Sequence, residues 1–469
     1  MESDAASSGA EPSLQGQLFR EGQQIPVTVG FASRISLHVA FPGPPPPDRT
    51  VFEKLTLQLG ERVVELSSCR LHVEYTRVGF AGRLVFLEDV YDCRALLFDK
   101  KYVDLKAFFH NLPLVLSQKE RIHPEFRDYT AAALYDLAVY KRFFNEQDRI
   151  YANEPQHVAD AAQEALIRSE GKRFFEFFNR QLDDLSLAVA GFDKEEHERH
   201  GYYFRRQAWE FILGSELLKR TNLKPRGYAG DAEIMQMLYE NRYVGNYVFN
   251  KLMHKHPADT AASQAVRNRR QLVPKVLRRV AQESPVQGKG AFRVLSLACG
   301  PAWELRDVFQ SPEEFERYYF AVLDQDPHAL ECARNTVQHI ESTRGNKIQI
   351  DYFSDSVRTM LRTRKIADRF GRYHFIYSMG LFDYLTPPVA RATLSKMFDL
   401  LLPGGTMLVG NFHAPSPDRI YMEYWADWVL YYRSEEEMLE LVEKLPGAKP
   451  RVFFEETGVQ MFLELQKQG

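Results

Sequence analysis

From Phe292 onward the chain alternates between two hydrophobic periods, and nothing else in the sequence constrains its fold as strongly. The strand-like run FRVLSLA leads into helical WELRDVFQ, YYFAVLD into PHALECARNTVQHIES, KIQIDYF into SVRTMLRTRKIA, and YHFIYSM into PPVARATLSKMFDLL. PGG then turns into a fifth strand, TMLVGNF. Strands separated by helices lie parallel, because the crossover returns each one to the same end of the sheet, and the helices cover both faces. Ser434 and Glu437 form a capping box for EEEMLELVEKL, and RVFFEE, Thr457-Gly458 and VQMFLELQ read as a terminal antiparallel hairpin. Residues 286–469 are therefore expected to be an α/β domain whose open sheet ends in that hairpin.

Upstream the texture differs. Residues 1–16 are small and polar and are expected to be disordered. Residues 17–100 carry short alternating runs, among them IPVTVGF, RISLHVAF and KLTLQL, punctuated by PGPPPPD; they predict a small antiparallel β-barrel with the prolines in an exposed loop. Residues 101–285 carry helical periodicity and are expected to form a linker and lid region with solvated, mixed-charge faces. His197 and His200 in KEEHERH have i, i+3 spacing but no third ligand beside them, so surface histidines are expected and no metal site.

With 469 residues two or three domains are expected, and a net charge of -3 argues against binding nucleic acid through phosphate neutralisation. The cysteines Cys69, Cys93, Cys299 and Cys332 are scattered without a CxxC, as in a reduced cytoplasmic protein. MESDAASSGAEPS is too polar for a signal peptide, and no apolar run approaches the ~18 residues that span a bilayer. A soluble, cytoplasmic protein is expected.

In open α/β sheets, ligands collect where the first strand meets its helix. Here that turn is Ala298-Cys299-Gly300-Pro301-Ala302, with a single glycine. A dinucleotide site wants GxGxxG, with N–H groups aimed at a pyrophosphate. Pro301 has no N–H, Glu304 puts negative charge where the pyrophosphate belongs, and there is no GKS/T. A ligand without phosphates and with a cationic amino-acid end fits better. Asp324 ends the second strand about 24 residues after Gly300, where an acid accepts hydrogen bonds from both ribose hydroxyls. Asp355, in FSDS at the end of the third strand, is placed to meet an adenine amino group. Adenosine with a short cationic tail describes S-adenosyl-L-methionine.

On VLSLACGPA, VLDQDP, FSDS and LLPGGTMLVGNF, residues 290–469 resemble a class I S-adenosylmethionine-dependent methyltransferase. The resemblance implies a Rossmann-like sheet. It implies cofactor contacts from the turn residues Ala298, Cys299, Gly300, Pro301 and Glu304, from Asp324 and Gln325, from Asp355 and Ser356, and from Ser378, Met379 and Gly380. Ala298 and Ala302 stand where that family commonly has glycines. More narrowly, LKPRGYAGDAEIMQMLY, AVRNRR and YSMGLFDYL resemble bacterial methyltransferases associated with 3-hydroxypalmitic acid methyl ester synthesis, over residues 160–469. That family implies carboxyl O-methylation of a hydroxy fatty acid. The N-terminal strands resemble a PilZ-type barrel, but FREGQQIPV offers only Arg20 of an RxxxR, and SRISLHVAF lacks the acid and glycine of the cyclic di-GMP motif. The barrel is thus expected to serve protein contacts.

A carboxylate nucleophile is already ionised at neutral pH and needs no general base, whereas an alcohol or amine wants one. His413 in GNFHAP is the candidate base, or it bonds to a loop backbone. Tyr228 and Tyr384 are further catalytic candidates. Arg226 and Arg267 are candidate partners for a carboxylate, and Asp231 is either a substrate contact or a helix cap. The aromatic run RIYMEYWADWVLYY, with Tyr424, either walls an acyl pocket or packs on the core. The competing function class is a sensor or scaffold that binds S-adenosylmethionine without turnover.

Overall fold

A computed structural model describes residues 14–32, 36–59, 62–75, 80–87, 121–283 and 290–468. Cys93, the stretch 101–120 and all of the polar tail except residues 14–16 lie outside them. The chain divides into two compact units, Met1–Arg121 and Ile122–Gly469.

The first unit contains β1 (Leu14–Arg20), β2 (Gln23–Ala32), β3 (Ser36–Phe41), β4 (Val51–Phe52), β5 (Lys54–Leu59), β6 (Arg62–Leu66), β7 (Cys69–Tyr75) and β8 (Phe80–Phe86). They form one antiparallel sheet in the order β4-β7-β8-β3-β2-β1-β5-β6. Alternate residues such as Val27 and Val29, Val39 and Phe41, and Leu55 and Leu57 are buried, as a sheet with one covered face requires. No ladder joins β4 to β6 among the described residues, so the expected barrel appears as an eight-stranded sheet. Leu14 to Gly16, expected in the disordered tail, pair with Val29 to Val27 in β1.

The second unit opens with helices α1 (Pro124–Ile150), α2 (Gln156–Ala188), α3 (Lys194–Gln207), α4 (Trp209–Ile212), α5 (Glu216–Leu223), α6 (Ala232–Glu240), α7 (Val248–Ala258) and α8 (Ala261–Glu283). It continues through β9 (Phe292–Leu297), α9 (Leu305–Val308), α10 (Pro312–Arg317), β10 (Tyr318–Asp324), α11 (Pro327–Arg344) and β11 (Gln349–Ser354). After these come α12 (Val357–Arg362), α13 (Ile366–Phe370), β12 (Tyr373–Ser378), α14 (Pro387–Asp399), β13 (Leu401–Phe412), α15 (Arg419–Tyr424), α16 (Glu435–Glu440), β14 (Ala448–Phe454) and β15 (Gln460–Lys467). The sheet order is β11-β10-β9-β12-β13-β15-β14. The first five strands are parallel; β15 runs antiparallel to both β13 and β14. Chain direction reverses across β9: the chain steps outward to β11, then crosses to β12 on the other side. That switch point leaves a crevice at the carboxyl ends of β9, β10 and β12.

Three local expectations are revised. The helix after the turn is a single helical turn, because Ser311 and Glu314 cap a new helix at once and Pro312 cannot extend the old one. PGG does not end before the fifth strand but lies within β13. His200 is buried rather than on the surface: its Nε2 accepts from His123 N at 3.1 Å and its Nδ1 donates to Glu196 O at 2.8 Å. The ring is thereby held neutral, and burial lowers its pKa.

Candidate functional site

A cavity of about 380 Å³ opens at the switch point. Its floor is the turn after β9, where Ala298, Gly300 and Ala302 take left-handed backbone with φ of 54, 53 and 51°. A Cβ on Gly300 would meet nothing within 4 Å, so the backbone there lies open to a ligand. The two alanines pay for the same geometry with steric strain of roughly 1–2 kcal/mol each. Ala298→Gly is expected to stabilise the fold by about 0.5–1 kcal/mol, the relief exceeding glycine's greater unfolded-state entropy; denaturant unfolding measures it.

Asp324 ends β10 and is almost wholly buried. Its Oδ2 accepts from Gly300 N and its Oδ1 from Asp326 N, both at 3.0 Å, while its own carbonyl accepts from Asp355 N. The carboxylate thus ties the turn after β9 to the end of β10, and the carbonyl of the same residue ties in the end of β11. Burial raises its pKa, against the backbone N–H groups that favour the ion. Glu304 follows the turn. Burial raises its pKa too, opposed by the hydroxyl of Tyr377, which donates to Oε1 at 2.7 Å, and by the fields of Arg270 and Arg269.

The helical layer supplies the opposite wall. The loop between α5 and α6 contributes Arg226, Gly227, Tyr228 and Gly230. Arg226 Nε stands 3.9 Å from Asp326, and a Cβ on Gly230 would lie 2.6 Å from Tyr384 Oη and 2.7 Å from Trp428. Only glycine lets the loop close down on that pair, whose members are joined by Trp428 Nε1 donating to Tyr384 Oη at 2.8 Å. Burial raises the pKa of both Tyr228 and Tyr384, so each phenol stays protonated.

Of the residues singled out in the sequence, Ala298, Cys299, Gly300, Pro301, Glu304, Asp324, Gln325, Asp355, Met379, Gly380, Arg226, Tyr228 and Tyr384 line this cavity. Asp355 has one oxygen bound to Arg369 at 2.6 Å. The others stand elsewhere. Ser356 caps α12 by accepting from Thr359 N, and Ser378 donates to Leu297 O beneath the wall. Asp231 is buried against Arg220, whose Nε reaches both carboxylate oxygens at 2.9 Å, and it caps α6. Arg267 donates to the carbonyls of Leu238 and Ala258. Tyr424 is fully buried in the helical core, its hydroxyl on His197. His413 packs on Phe454 past the end of β13, its backbone bonded to Val459, and is not on the cavity wall.

The sequence reading passed over Arg269 and Arg270, both of which line the cavity. The signal was there: Ala262, Ala265, Val266, Val273, Val276 and Leu277 make the buried stripe of α8, and Arg269 falls on it. Choosing Arg267 from AVRNRR picked an arginine off that stripe.

No family model matches the chain, and no curated protein matches it. Among solved structures, a possible exported protein from Bordetella parapertussis is 20% identical, with 64% of this chain and 97% of that one covered and a TM-score of 0.43. CurJ carbon methyltransferase is 14% identical, with 76% and 99% covered and a TM-score of 0.39. Magnesium protoporphyrin IX methyltransferase from Synechocystis PCC 6803, solved with bound S-adenosylhomocysteine, is 12% identical, with 44% and 87% covered and a TM-score of 0.33.

Proposed function

We propose that this chain is an S-adenosylmethionine-dependent methyltransferase acting on a small molecule. The observation that carries the reading is Asp324: its two oxygens are oriented by backbone N–H groups beside an open glycine turn, the arrangement that receives ribose hydroxyls. The remaining donors suit the same ligand. Glu304 is a buried acceptor for an ammonium group, and Asp355 lies at the adenine side. A pyrophosphate would meet Glu304 and Asp324 as like charges, and the helix beyond the turn is one turn long, too short to supply a useful dipole.

When bound, S-adenosylmethionine supplies a methyl group on a sulfonium, displaced in line by the acceptor. The protein's part is to hold both partners and to exclude water. The Arg226–Asp326 contact and the packing of Gly230 against Tyr384 and Trp428 hold the loop over the crevice. Tyr228 and Tyr384, kept protonated, donate hydrogen bonds and do not abstract protons, and His413 is off the wall. An acceptor needing no general base fits this wall best, which favours carboxyl O-methylation. A hydroxy fatty acid is the acceptor the narrower resemblance implies. A cavity of this volume takes a nucleoside-sized ligand with the acceptor beside it at the open crevice. The N-terminal sheet is assigned to protein contacts; Arg20 ends β1 on the surface, against Glu21.

The test uses purified full-length protein, S-adenosylmethionine labelled on the methyl group and fractionated cell extract. The expected result is release of S-adenosylhomocysteine with label in the small-molecule fraction. Cofactor binding without release in any fraction would favour a sensor, and absence of binding would remove the reading.

A further inference from the structure

Arg269 is a buried cation on the wall of a ligand cavity, and the buried acids whose fields couple to it, Glu304 and Asp383, make no ion pair with it. It is 6% exposed, and no acid comes within ion-pair distance of it among the described residues. Its Nη1 donates to Met379 O at 3.1 Å and to Gln460 Oε1 at 3.4 Å, and Nη2 reaches the Met235 sulfur, a weak acceptor. Its Nε has no hydrogen-bond partner. The fields of Glu304 and Asp383 offset part of its charge, but its direct partners are neutral and Nε is left without one. The neighbouring Arg270, by contrast, spends two nitrogens on Asp307.

The place of Arg269 separates it from the ribose end. It touches the residue after β12 and a side chain of β15, on the far side of β9 from Asp324. Behind it lies a second, small apolar chamber of about 40 Å³. Three structural steps connect the two spaces. Met235 lines the first and Leu238 the second, one turn apart on α6; Arg269 and Val266 do the same on α8; and Tyr384 of the first is hydrogen-bonded to Trp428 of the second.

We infer that Arg269 binds the carboxylate of the methyl acceptor and that a short apolar group on that acceptor points towards the chamber behind Trp428. This rests on the methyltransferase reading. One acceptor oxygen pairs with the guanidinium, and the other stays free over the β9 turn. The acceptor class is a compact monocarboxylic acid with an apolar end.

The probes are acetate, hexanoate and hexanol, titrated calorimetrically into full-length protein with and without S-adenosylhomocysteine. Hexanoate is expected to bind, with acetate and hexanol each weaker by about tenfold or more. Arg269→Met is expected to weaken hexanoate by about tenfold or more and to leave S-adenosylhomocysteine within about threefold, and Arg269→Lys to recover part of the hexanoate affinity. Should Arg269→Met fail to fold, the lysine variant and the three-probe comparison on wild-type protein still decide. Hexanol binding as tightly as hexanoate would overturn the anion site, and acetate matching hexanoate would overturn the apolar end. Loss of S-adenosylhomocysteine binding in Arg269→Met would reassign the arginine to the cofactor. Hexanoate binding to a wild-type protein that ignores S-adenosylhomocysteine would sink the methyltransferase reading and leave the acid site standing.

Discussion

Asp324→Asn is expected to weaken S-adenosylmethionine binding by about 100-fold and to cost about 1–2 kcal/mol of stability, because one buried backbone N–H loses its acceptor, without unfolding the protein. The carboxylate has two oxygens, each oriented by one backbone donor and each with a lone pair left for a ribose hydroxyl. Asparagine keeps one acceptor, turns an NH₂ towards the Gly300 or Asp326 N–H, and removes the charge. Hydrogen bonds to a charged acceptor contribute about 1.5–3 kcal/mol, and losing one with its charge amounts to roughly 3 kcal/mol, or two orders of magnitude in affinity. Isothermal calorimetry reads the affinity and thermal unfolding the integrity of the fold. An unchanged affinity would mean that the ribose does not sit at the tip of β10.

The largest effect on stability is expected at Asp231→Ala, about 3 kcal/mol by denaturant unfolding. Asp231 is 1% exposed and takes two nitrogens of Arg220 while capping α6 through Ile234 N at 3.0 Å. Removing one partner of a buried pair costs about 3–5 kcal/mol because the other charge is stranded. The lower end applies because Arg220 keeps Glu233 as a second partner. Asp231→Asn, which preserves the cap, should lose less. A fully stable alanine variant would show that the pair does not hold the loop between α5 and α6.

These two aspartates mark the difference between what was legible in the chain and what was not. The place of Asp324 was legible because it depends on local order: a strand, a small-residue turn, a second strand and an acid at its end. Asp231 looked alike in sequence, an acid in a glycine-broken loop, yet its partner lies on α5 and its carboxylate faces away from the cavity. His413 and Tyr424 each carried two readings in the chain, and packing separates them. His413, in GNFHAP, packs on Phe454 with its backbone N–H on Val459, and Tyr424, within an aromatic run, turns into the core that α1, α2 and α3 help form. The helical region was expected to be a linker and lid; it instead carries the largest apolar cluster among the described residues and shares a compact unit with the sheet.

Local periodicity was enough to determine the parallel strands, the closing hairpin, the turn at Ala298–Ala302 and the acid that answers it. Those features depend on residues near one another in the chain, where alternation of two and three-to-four residues dictates which faces must be buried. Which arginine enters the cavity, which tyrosine lies on its wall and whether a histidine can act as a base depend on the direction a side chain takes after elements distant in sequence have packed. Arg269 shows the limit: only the docking of α8 against β12 and β15 makes it a buried cation whose direct partners are all neutral, and that is a property of the tertiary structure alone.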